Sequence, residues 1–103
     1  MDYQELANLL KVVAEPNRLK ILNLLSCGEM CACDILDHFD FTQPTLSHHM
    51  KVLEDNGLIL VNKRSKWHYY SLNPEKSKAI IKGLTEVLSD SEDCICKDAE
   101  KDC

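Results

Sequence analysis

The sequence lacks the features that mark membrane proteins and most enzymes. No apolar run in its 103 residues approaches the ~20 residues that a helix needs to cross a bilayer. Residues 1–5 contain neither the basic nor the apolar segment of a secretion signal, so we expect a cytoplasmic protein without a membrane anchor. With three glycines there is no glycine-rich phosphate loop, and no cysteine and histidine are placed as a nucleophile and its base. We therefore expect a protein that is not an enzyme and uses no organic cofactor.

The length is enough for one domain but not for two. A domain this small has a thin core, so association with a second copy would bury more apolar surface. Beyond Ser89 the sequence becomes acidic and polar, and this segment holds three of the six cysteines. We expect a folded domain over residues 1–89 and a flexible, cysteine-containing tail over residues 90–103.

Positive charge is scarce overall, because the net charge is −5, but it is concentrated in one segment. The tail holds six acidic residues and two lysines, which gives it a charge of −4. Residues 41–70 hold four basic residues against two acidic ones, with three histidines among them. Affinity for phosphate depends on local charge, so the acidic total does not exclude DNA as a partner.

The spacing of apolar and turn-forming residues predicts a mainly α fold with a two-stranded β wing. The first four expected elements are helices, at 3–13, from 16 to a break at Gly28, around 35–39 and at 42–55. Two strands are expected next, at 58–61 and 67–70, joined by a loop at 62–66. A last helix is expected at 74–88. The second helix is expected to present Leu19, Leu22 and Leu25 on one apolar face. Thr42 is expected to cap the fourth helix. The apolar stripe expected on the last helix is Ile80, Ile81, Leu84, Val87 and Leu88.

The helix that begins after Thr42 has the composition of a DNA-reading helix. Leu46, Met50 and Leu53 share one face, which turns short polar side chains outward toward a major groove. A basic hairpin follows, whose cations can hold phosphates near the adjoining minor groove. A solvated helix and hairpin could share this composition, but the order short helix, turn, polar helix and basic hairpin favours a winged helix-turn-helix. The predicted DNA contacts are Gln43, Thr45, Ser47, His48, Lys51, Lys63, Arg64 and Lys66.

Cys31 and Cys33 are the candidate ligands for a soft ion. In a reducing cytoplasm, clustered cysteines more often bind metal or sense redox state than form disulfides. Thiolates prefer soft ions such as Cu(I), Zn(II), Cd(II), As(III) or Sb(III), and a helix N-terminus is expected to lower the cysteine pKa. Residues two apart on a regular helix point about 200° from each other, so we expect ion binding to distort the start of this helix. Cys27 is expected to be a small buried residue.

Five motifs together resemble the ArsR/SmtB family of metal-responsive repressors. They are Glu15-Pro-Asn-Arg-Leu-Lys-Ile-Leu22, Met30-Cys-Ala-Cys-Asp-Ile-Leu36, Phe41-Thr-Gln-Pro-Thr-Leu-Ser-His-His-Met-Lys51, Asn56-Gly-Leu-Ile59 and Trp67-His-Tyr-Tyr-Ser-Leu72. The resemblance covers nearly the whole chain, and Cys-x-Cys-Asp is the hallmark of its arsenical-resistance branch. It implies a homodimer that pairs through its first and last helices and binds double-stranded operator DNA. It also implies that the dimer releases this DNA when As(III) or Sb(III) binds the cysteines.

The expected ion site is incomplete, and the sequence leaves other inducers open. Some family members have a third cysteine where this chain has Leu36, so Cys94, Cys96 or Cys103, or a small cellular thiol, would complete a three-thiolate site. A Zn(II) or Ni(II) site on the last helix would need histidine, which residues 74–89 lack. A Cd(II) or Pb(II) site would recruit cysteines from residues 1–26, which have none. These absences favour As(III) or Sb(III), while oxidation of the thiols is another way to release DNA from the same fold.

Overall fold

Five helices and three short strands form the part of the chain that the structure describes. The structure is a computed structural model, and it describes residues 1–89; the expected tail, with Cys94, Cys96 and Cys103, lies outside them. The elements are α1 (Tyr3–Val13), α2 (Pro16–Leu25), β1 (Met30–Cys31), α3 (Ala32–Leu36), α4 (Gln43–Asp55), β2 (Ile59–Arg64), β3 (Trp67–Leu72) and α5 (Pro74–Leu88). The predicted mainly α fold with a two-stranded wing is confirmed, and β1 adds to it. Within residues 1–89, none of the helices has the length and apolar character required to cross a membrane.

Side chains at the N-cap positions determine where three of the helices begin. Asp2, Glu15 and Asn73 each accept a backbone amide of the first turn of α1, α2 and α5, respectively. Such a cap stabilises a helix by about 1 kcal/mol, because it satisfies an amide that has no partner within the helix. Thr42 occupies the N-cap of α4 as predicted, but its side chain makes no capping hydrogen bond.

The core lies between the helices and the inner face of the sheet. The largest fully buried side chains are Ile21, Ile35, Leu46, Leu53 and Ile59. On α2 the prediction was wrong for Leu19, which is 54% exposed, while Ile21 and Leu25 face the core. Two steps of three residues rotate a side chain by about 120° around a helix, so Leu19 and Leu25 do not share one narrow face. Residues four apart, such as Ile21 and Leu25, stay closer to a line along the axis.

The wing is an antiparallel hairpin of β2 and β3, in which Val61 lies opposite Tyr70 and Arg64 lies opposite Trp67. Its strands are longer than predicted, so the connection is a two-residue turn at 65–66 instead of a loop at 62–66. Ser65 has a φ of 58°, and a positive φ at the first central residue is typical of a type II′ turn. The outer part of the hairpin is polar on both faces, so it shows no apolar alternation that would have marked it as strand.

β1 is a two-residue strand that sequence analysis did not find. It pairs antiparallel with β3, so that Met30 lies opposite Tyr70 and Cys31 lies opposite Tyr69. The strand order in the sheet is β1-β3-β2. This pairing attaches the segment just before α3 directly to the wing.

α1 and α5 pack against each other and leave apolar surface exposed. A side chain at Gly83 would place its Cβ 3.2 Å from Leu6, so glycine allows the two helices to approach closely. Of the predicted stripe on α5, Ile80 is buried in the core and Leu84 packs against it. The exposed apolar residues of the two helices are Tyr3, Ile81, Val87 and Leu88.

Candidate DNA interface and thiol site

Cys31 lies at the junction between β1 and α3. Its backbone is extended (φ −81°, ψ 159°), and it occupies the N-cap of α3 without making a side-chain capping bond. Its side chain is buried, whereas Cys33, in the first turn of the helix, is exposed. The two Sγ atoms are 3.0 Å apart.

This geometry overturns the expectation that the cysteine pair needs a distorted helix. The expected separation of about 200° applies only where both residues are helical, and Cys31 is extended instead. The change of backbone direction at the N-cap brings both sulfurs to the same side. Sulfurs bound to one tetrahedral ion at ~2.3 Å lie roughly 3.8 Å apart, so the pair would open by less than about 1 Å on chelation.

Asp34 joins the two cysteines at this site. The ligand atoms of Cys31, Cys33 and Asp34 all lie within 4.8 Å of one another. Thiolates suit soft ions, whereas a carboxylate oxygen is also a ligand of borderline divalent ions such as Zn(II). The described residues therefore offer one ion two sulfur ligands and one oxygen ligand.

The pKa of the Cys33 thiol is raised, which is the opposite of the effect expected at a helix N-terminus. The largest cause is the hydrogen bond between the Cys33 and Cys31 sulfurs, followed by partial desolvation of the thiol and by electrostatic interactions with Cys31 and Asp34. The backbone amide of Asp34 opposes the shift. The thiol form of Cys33 is therefore favoured over the thiolate.

The outward face of α4 carries polar groups, as predicted, while Leu46, Met50 and Leu53 are buried. Gln43 Nε2 donates to Ser47 Oγ at 2.7 Å, so these two groups are held side by side at the start of the helix. The predicted DNA contacts are all exposed: Gln43, Thr45, Ser47, His48, Lys51, Lys63, Arg64 and Lys66. Their exposure meets the first requirement for contact with a duplex.

His49 fixes the inner side of α4 against α2. His49 is 9% exposed, and Arg18 Nη1 donates a hydrogen bond to its Nδ1 at 3.3 Å. A carboxylate oxygen of Glu15 lies 3.8 Å from the same nitrogen. Because a guanidinium has no acceptor, this contact requires a neutral ring whose Nδ1 accepts. Burial is the main cause that lowers the pKa of His49; the charges of Arg18 and His48 add to it, and Glu15 opposes it.

The cations predicted to hold phosphates differ in their surroundings. Lys51 pairs with Asp55 at 3.1 Å, and Arg64 pairs with Glu29 at 2.7 Å. Among residues 1–89, no carboxylate lies within ion-pair distance of Lys63 or Lys66. The wing therefore presents two unpaired ammonium groups and one guanidinium that is held by a carboxylate.

A crevice of about 370 Å³ lies between α3, α4 and the wing. Cys33 lines it on one side, Gln43 and Ser47 on a second, and Lys66 and Trp67 on a third. The crevice thus brings a candidate ion ligand, the start of the reading helix and the end of the wing around one space.

Sequence reasoning missed several residues around these sites. Cys27, expected to be buried, is exposed. Glu29 and His49 gave no signal, because their partners Arg64 and Arg18 lie 35 and 31 positions away. Asp34 directly follows the cysteine pair in the sequence, and this adjacency is a local signal for a third ligand.

The short helix α3, the polar helix α4 and the hairpin that follows define a winged helix-turn-helix protein, a class of DNA-binding regulators. A family model described as "Bacterial regulatory protein, arsR family" matches residues 15–61. Together with the relatives below, this match shows that the chain belongs to the ArsR family of bacterial regulatory proteins.

Relatives of known name cover nearly the whole length of the chain. The arsenical resistance operon repressor of Staphylococcus aureus is 48% identical over 104 residues, with all of both chains covered. The protein of the same name from Staphylococcus xylosus is 52% identical over 97 residues, covering 94% of this chain and 93% of that one. A crystal structure of a possible transcriptional regulator for arsenical resistance shares 30% identity and a TM-score of 0.73, covering 88% of this chain and 95% of that one. The predicted family is confirmed, and the chain is a DNA-binding transcription regulator, not an enzyme.

Proposed function

We propose that this chain represses an arsenical-resistance operon by binding operator DNA as a homodimer, and that As(III) or Sb(III) releases it by binding Cys31 and Cys33. The observation that carries the proposal is the pair of sulfurs 3.0 Å apart, one of which lines the crevice beside α4. The names of the staphylococcal relatives support this class of inducer. Residues 1–89 would form the DNA-binding and dimerisation domain, and the repressor would act in the cytoplasm, where operator DNA lies.

The inducer reaction requires no change of oxidation state. As(OH)₃ exchanges two hydroxides for the two thiols, so that two As–S bonds form, two As–O bonds break, and each thiol proton leaves with a hydroxide as water. Because the protons leave in this way, a raised pKa of Cys33 does not prevent the reaction. The third position on arsenic keeps its hydroxide until another ligand replaces it.

The candidates for that third ligand within the chain are Cys94, Cys96 and Cys103. They are proposed because Leu36 stands where some relatives have a cysteine, and because residues 1–89 offer only a carboxylate beside the pair. Deletion of residues 90–103 should weaken As(III) binding, as measured by titration calorimetry in the presence of a non-thiol reductant. Unchanged affinity and stoichiometry would exclude the tail and favour a small thiol.

In the operator complex, we propose that α4 enters the major groove and that the wing cations contact the backbone. Gln43, Thr45, Ser47 and His48 would face base edges, and Lys51, Lys63, Arg64 and Lys66 would hold phosphates. A twofold dimer predicts a twofold operator, with half-sites about one helical turn apart. Ion binding at Cys33 would disturb this complex through the crevice that Cys33 shares with Gln43, Ser47 and Lys66.

A gel shift on the promoter beside the protein's own gene tests the function. The wild-type protein should release this DNA on titration with As(III) or Sb(III) under reducing conditions. The variants Cys31→Ser and Cys33→Ser should bind the DNA but no longer release it, whereas the control Cys27→Ser should behave as the wild type. Release from the two serine variants at wild-type As(III) concentrations would refute the proposed site.

One observation supports a second inducer class, namely Cd(II) or Pb(II). Asp34 gives the cysteine pair an oxygen ligand, which a divalent ion accepts more readily than As(III) does. The same gel shift with Cd(II) in place of As(III) separates the two classes, and Asp34→Asn should abolish release only by the divalent ion. A further arm with peroxide and no added ion tests release by thiol oxidation.

A further inference from the structure

The wing and the thiol site are joined by contacts that the proposed function does not use. Arg64 Nη2, at the end of β2, donates to Glu29 Oε1 at 2.7 Å. The guanidinium carbon also lies 4.5 Å from the ring centre of Tyr69. Tyr69 is the residue opposite Cys31 in the β1–β3 pair. Arg64 is therefore held on two sides: by Glu29, which lies two positions before Cys31, and by Tyr69, which is paired with Cys31.

No other cation at the outer end of the wing has this arrangement within residues 1–89. Lys63 has no carboxylate within ion-pair distance, and Lys66 lies 5.5 Å from the ring of Trp67, its neighbour in the chain. The position of Arg64 thus depends on the strand that carries a candidate ion ligand, whereas the positions of the two lysines do not.

We propose that Glu29 is a positioning residue that couples the thiol site to the DNA contact made by Arg64. The inference rests on the proposed function, because it requires that an ion at Cys31 and Cys33 weakens operator binding. It adds a route through β1 and the wing to the route through the crevice.

The length of β1 explains why the coupling can work. Only Met30 separates Glu29 from Cys31, so a shift of Cys31 toward a bound ion moves the backbone that carries the Glu29 carboxylate. A guanidinium is a planar fork of donors, and Arg64 can hold Glu29 and a phosphate at once only in a restricted orientation. Displacement of Glu29 therefore removes the orientation in which Arg64 meets the phosphate.

An exposed ion pair without a functional role would have the same geometry, since the two side chains are 52% and 33% exposed. The two cases differ in one measurable quantity, the coupling ratio. We define this ratio as the operator Kd with saturating As(III) divided by the operator Kd without it. Because As(III) is saturating, the coupling ratio does not depend on any change in the affinity for As(III). Loss of an ion pair with a purely structural role would leave the coupling ratio unchanged.

The test measures the coupling ratio by fluorescence anisotropy on a labelled operator duplex, using the full chain. Glu29→Gln should lower the ratio at least threefold while the As(III)–thiol absorption shows that the ion still binds. Arg64→Gln should lower it by a similar factor, and the double variant should lower it no further, because both changes remove one connection. By reciprocity, the As(III) affinities of free and DNA-bound protein should converge by the same factor.

Two matched controls remove a similar charge without touching the connection. Lys63→Gln, one residue before Arg64, should weaken operator binding in both states and leave the coupling ratio unchanged. Glu75→Gln, at the exposed start of α5, should change neither. A coupling ratio within twofold of wild type in both Glu29→Gln and Arg64→Gln would refute the role of Glu29. If the wild-type protein itself has a ratio of one, the proposed function fails instead.

Discussion

The buried side chain of His49 makes the fold sensitive to acid. His49 is neutral in the folded protein, because it is 9% exposed and accepts a hydrogen bond from Arg18. Burial and the nearby positive charges lower its pKa below the ordinary value of 6.5, while Glu15 acts in the opposite direction. In the unfolded chain the ring regains its ordinary pKa, so the unfolded state binds more protons as the pH falls.

The free energy of unfolding should therefore fall as the pH is lowered through 6.5. When the pKa of a group is lower in the folded than in the unfolded state, its full contribution to stability is present above the pKa of the unfolded state. This contribution is lost as the pH falls from that value through the pKa of the folded state. Urea unfolding at pH 7.5 and pH 5.5, at a fixed high protein concentration, should show a smaller decrease in His49→Gln than in wild type. The other histidines are common to both proteins and cancel in the comparison. Equal decreases in the two proteins would show that His49 is not the group responsible.

Glu15 does not interfere in this interval. Burial raises its pKa, but the hydrogen bonds from the backbone amides of Arg18 and Asn17 and the electrostatic interactions with His49 and Arg18 outweigh this effect, so the pKa of Glu15 lies below 4.5. The stability that Glu15 contributes is therefore lost only as the pH falls through 4.5 and below. The interval from pH 7.5 to 5.5 reports the histidine alone among the groups of this cluster.

At the scale of single residues, sequence pattern predicted the buried face of α4 but not the geometry of the cysteine pair. The period of α4 assigned Leu46, Met50 and Leu53 to the core, because each turn of a regular helix repeats the same geometry. The spacing of Cys31 and Cys33 led to a wrong geometry, because the helix begins between them. An error of one residue in the predicted start of a helix matters little for the fold. It reverses the conclusion about whether Cys31 and Cys33 can bind one ion without distortion of the helix.

Among the elements, the wing contains a turn that its sequence does not fit well. Ser65 has a φ of 58°, and a residue with a Cβ loses about 1–2 kcal/mol in this region of backbone conformation. Lys66, the second central residue of the turn, does not have a positive φ. Type II′ turns favour glycine at this first central position. The strain is local, because the turn is exposed and the strands on both sides are paired in register.

Replacement of Ser65 by glycine should stabilise the protein by about 0.5 kcal/mol, since relief of the Cβ strain exceeds the added entropy of the unfolded chain. Urea unfolding at pH 7.5 measures the change. Ser65→Ala is the control, because it removes the hydroxyl but keeps the Cβ, and it should give no gain. A gain of the same size in Ser65→Ala would show that the hydroxyl, not the backbone, is the source of the cost.

The helices and the hairpin were predictable from sequence, but β1 was not. Helices and hairpins depend on neighbours within a few positions, so their period and turn residues are visible locally. β1 has two residues, and it exists because Met30 and Cys31 pair with a strand about 40 positions away. Since such a pairing leaves no local pattern, its connection to the thiol site also required the structure.

At the scale of the whole molecule, the exposed apolar surface on α1 and α5 remains to be explained. Ile81, Val87 and Leu88 are 65%, 51% and 80% exposed, although sequence pattern assigned them to the same stripe as the buried Ile80. One face of α5 contacts the core and α1, and the neighbouring face has no partner within residues 1–89. A second copy that covers this face is the proposed homodimer, which pairs through the first and last helices.

Ile81→Glu should therefore convert a dimer into a monomer at micromolar concentration without unfolding it. The side chain is 65% exposed, so the change removes no core contact of the protomer, and glutamate favours a helix. Sedimentation velocity measures the assembly, and circular dichroism checks the fold. Operator affinity should fall at least tenfold, because half-sites bound by unlinked protomers lose the gain in effective concentration. The control Ile81→Val keeps an apolar surface and should stay dimeric. If Ile81→Glu remained a dimer with wild-type operator affinity, the two copies would have to pair through another surface.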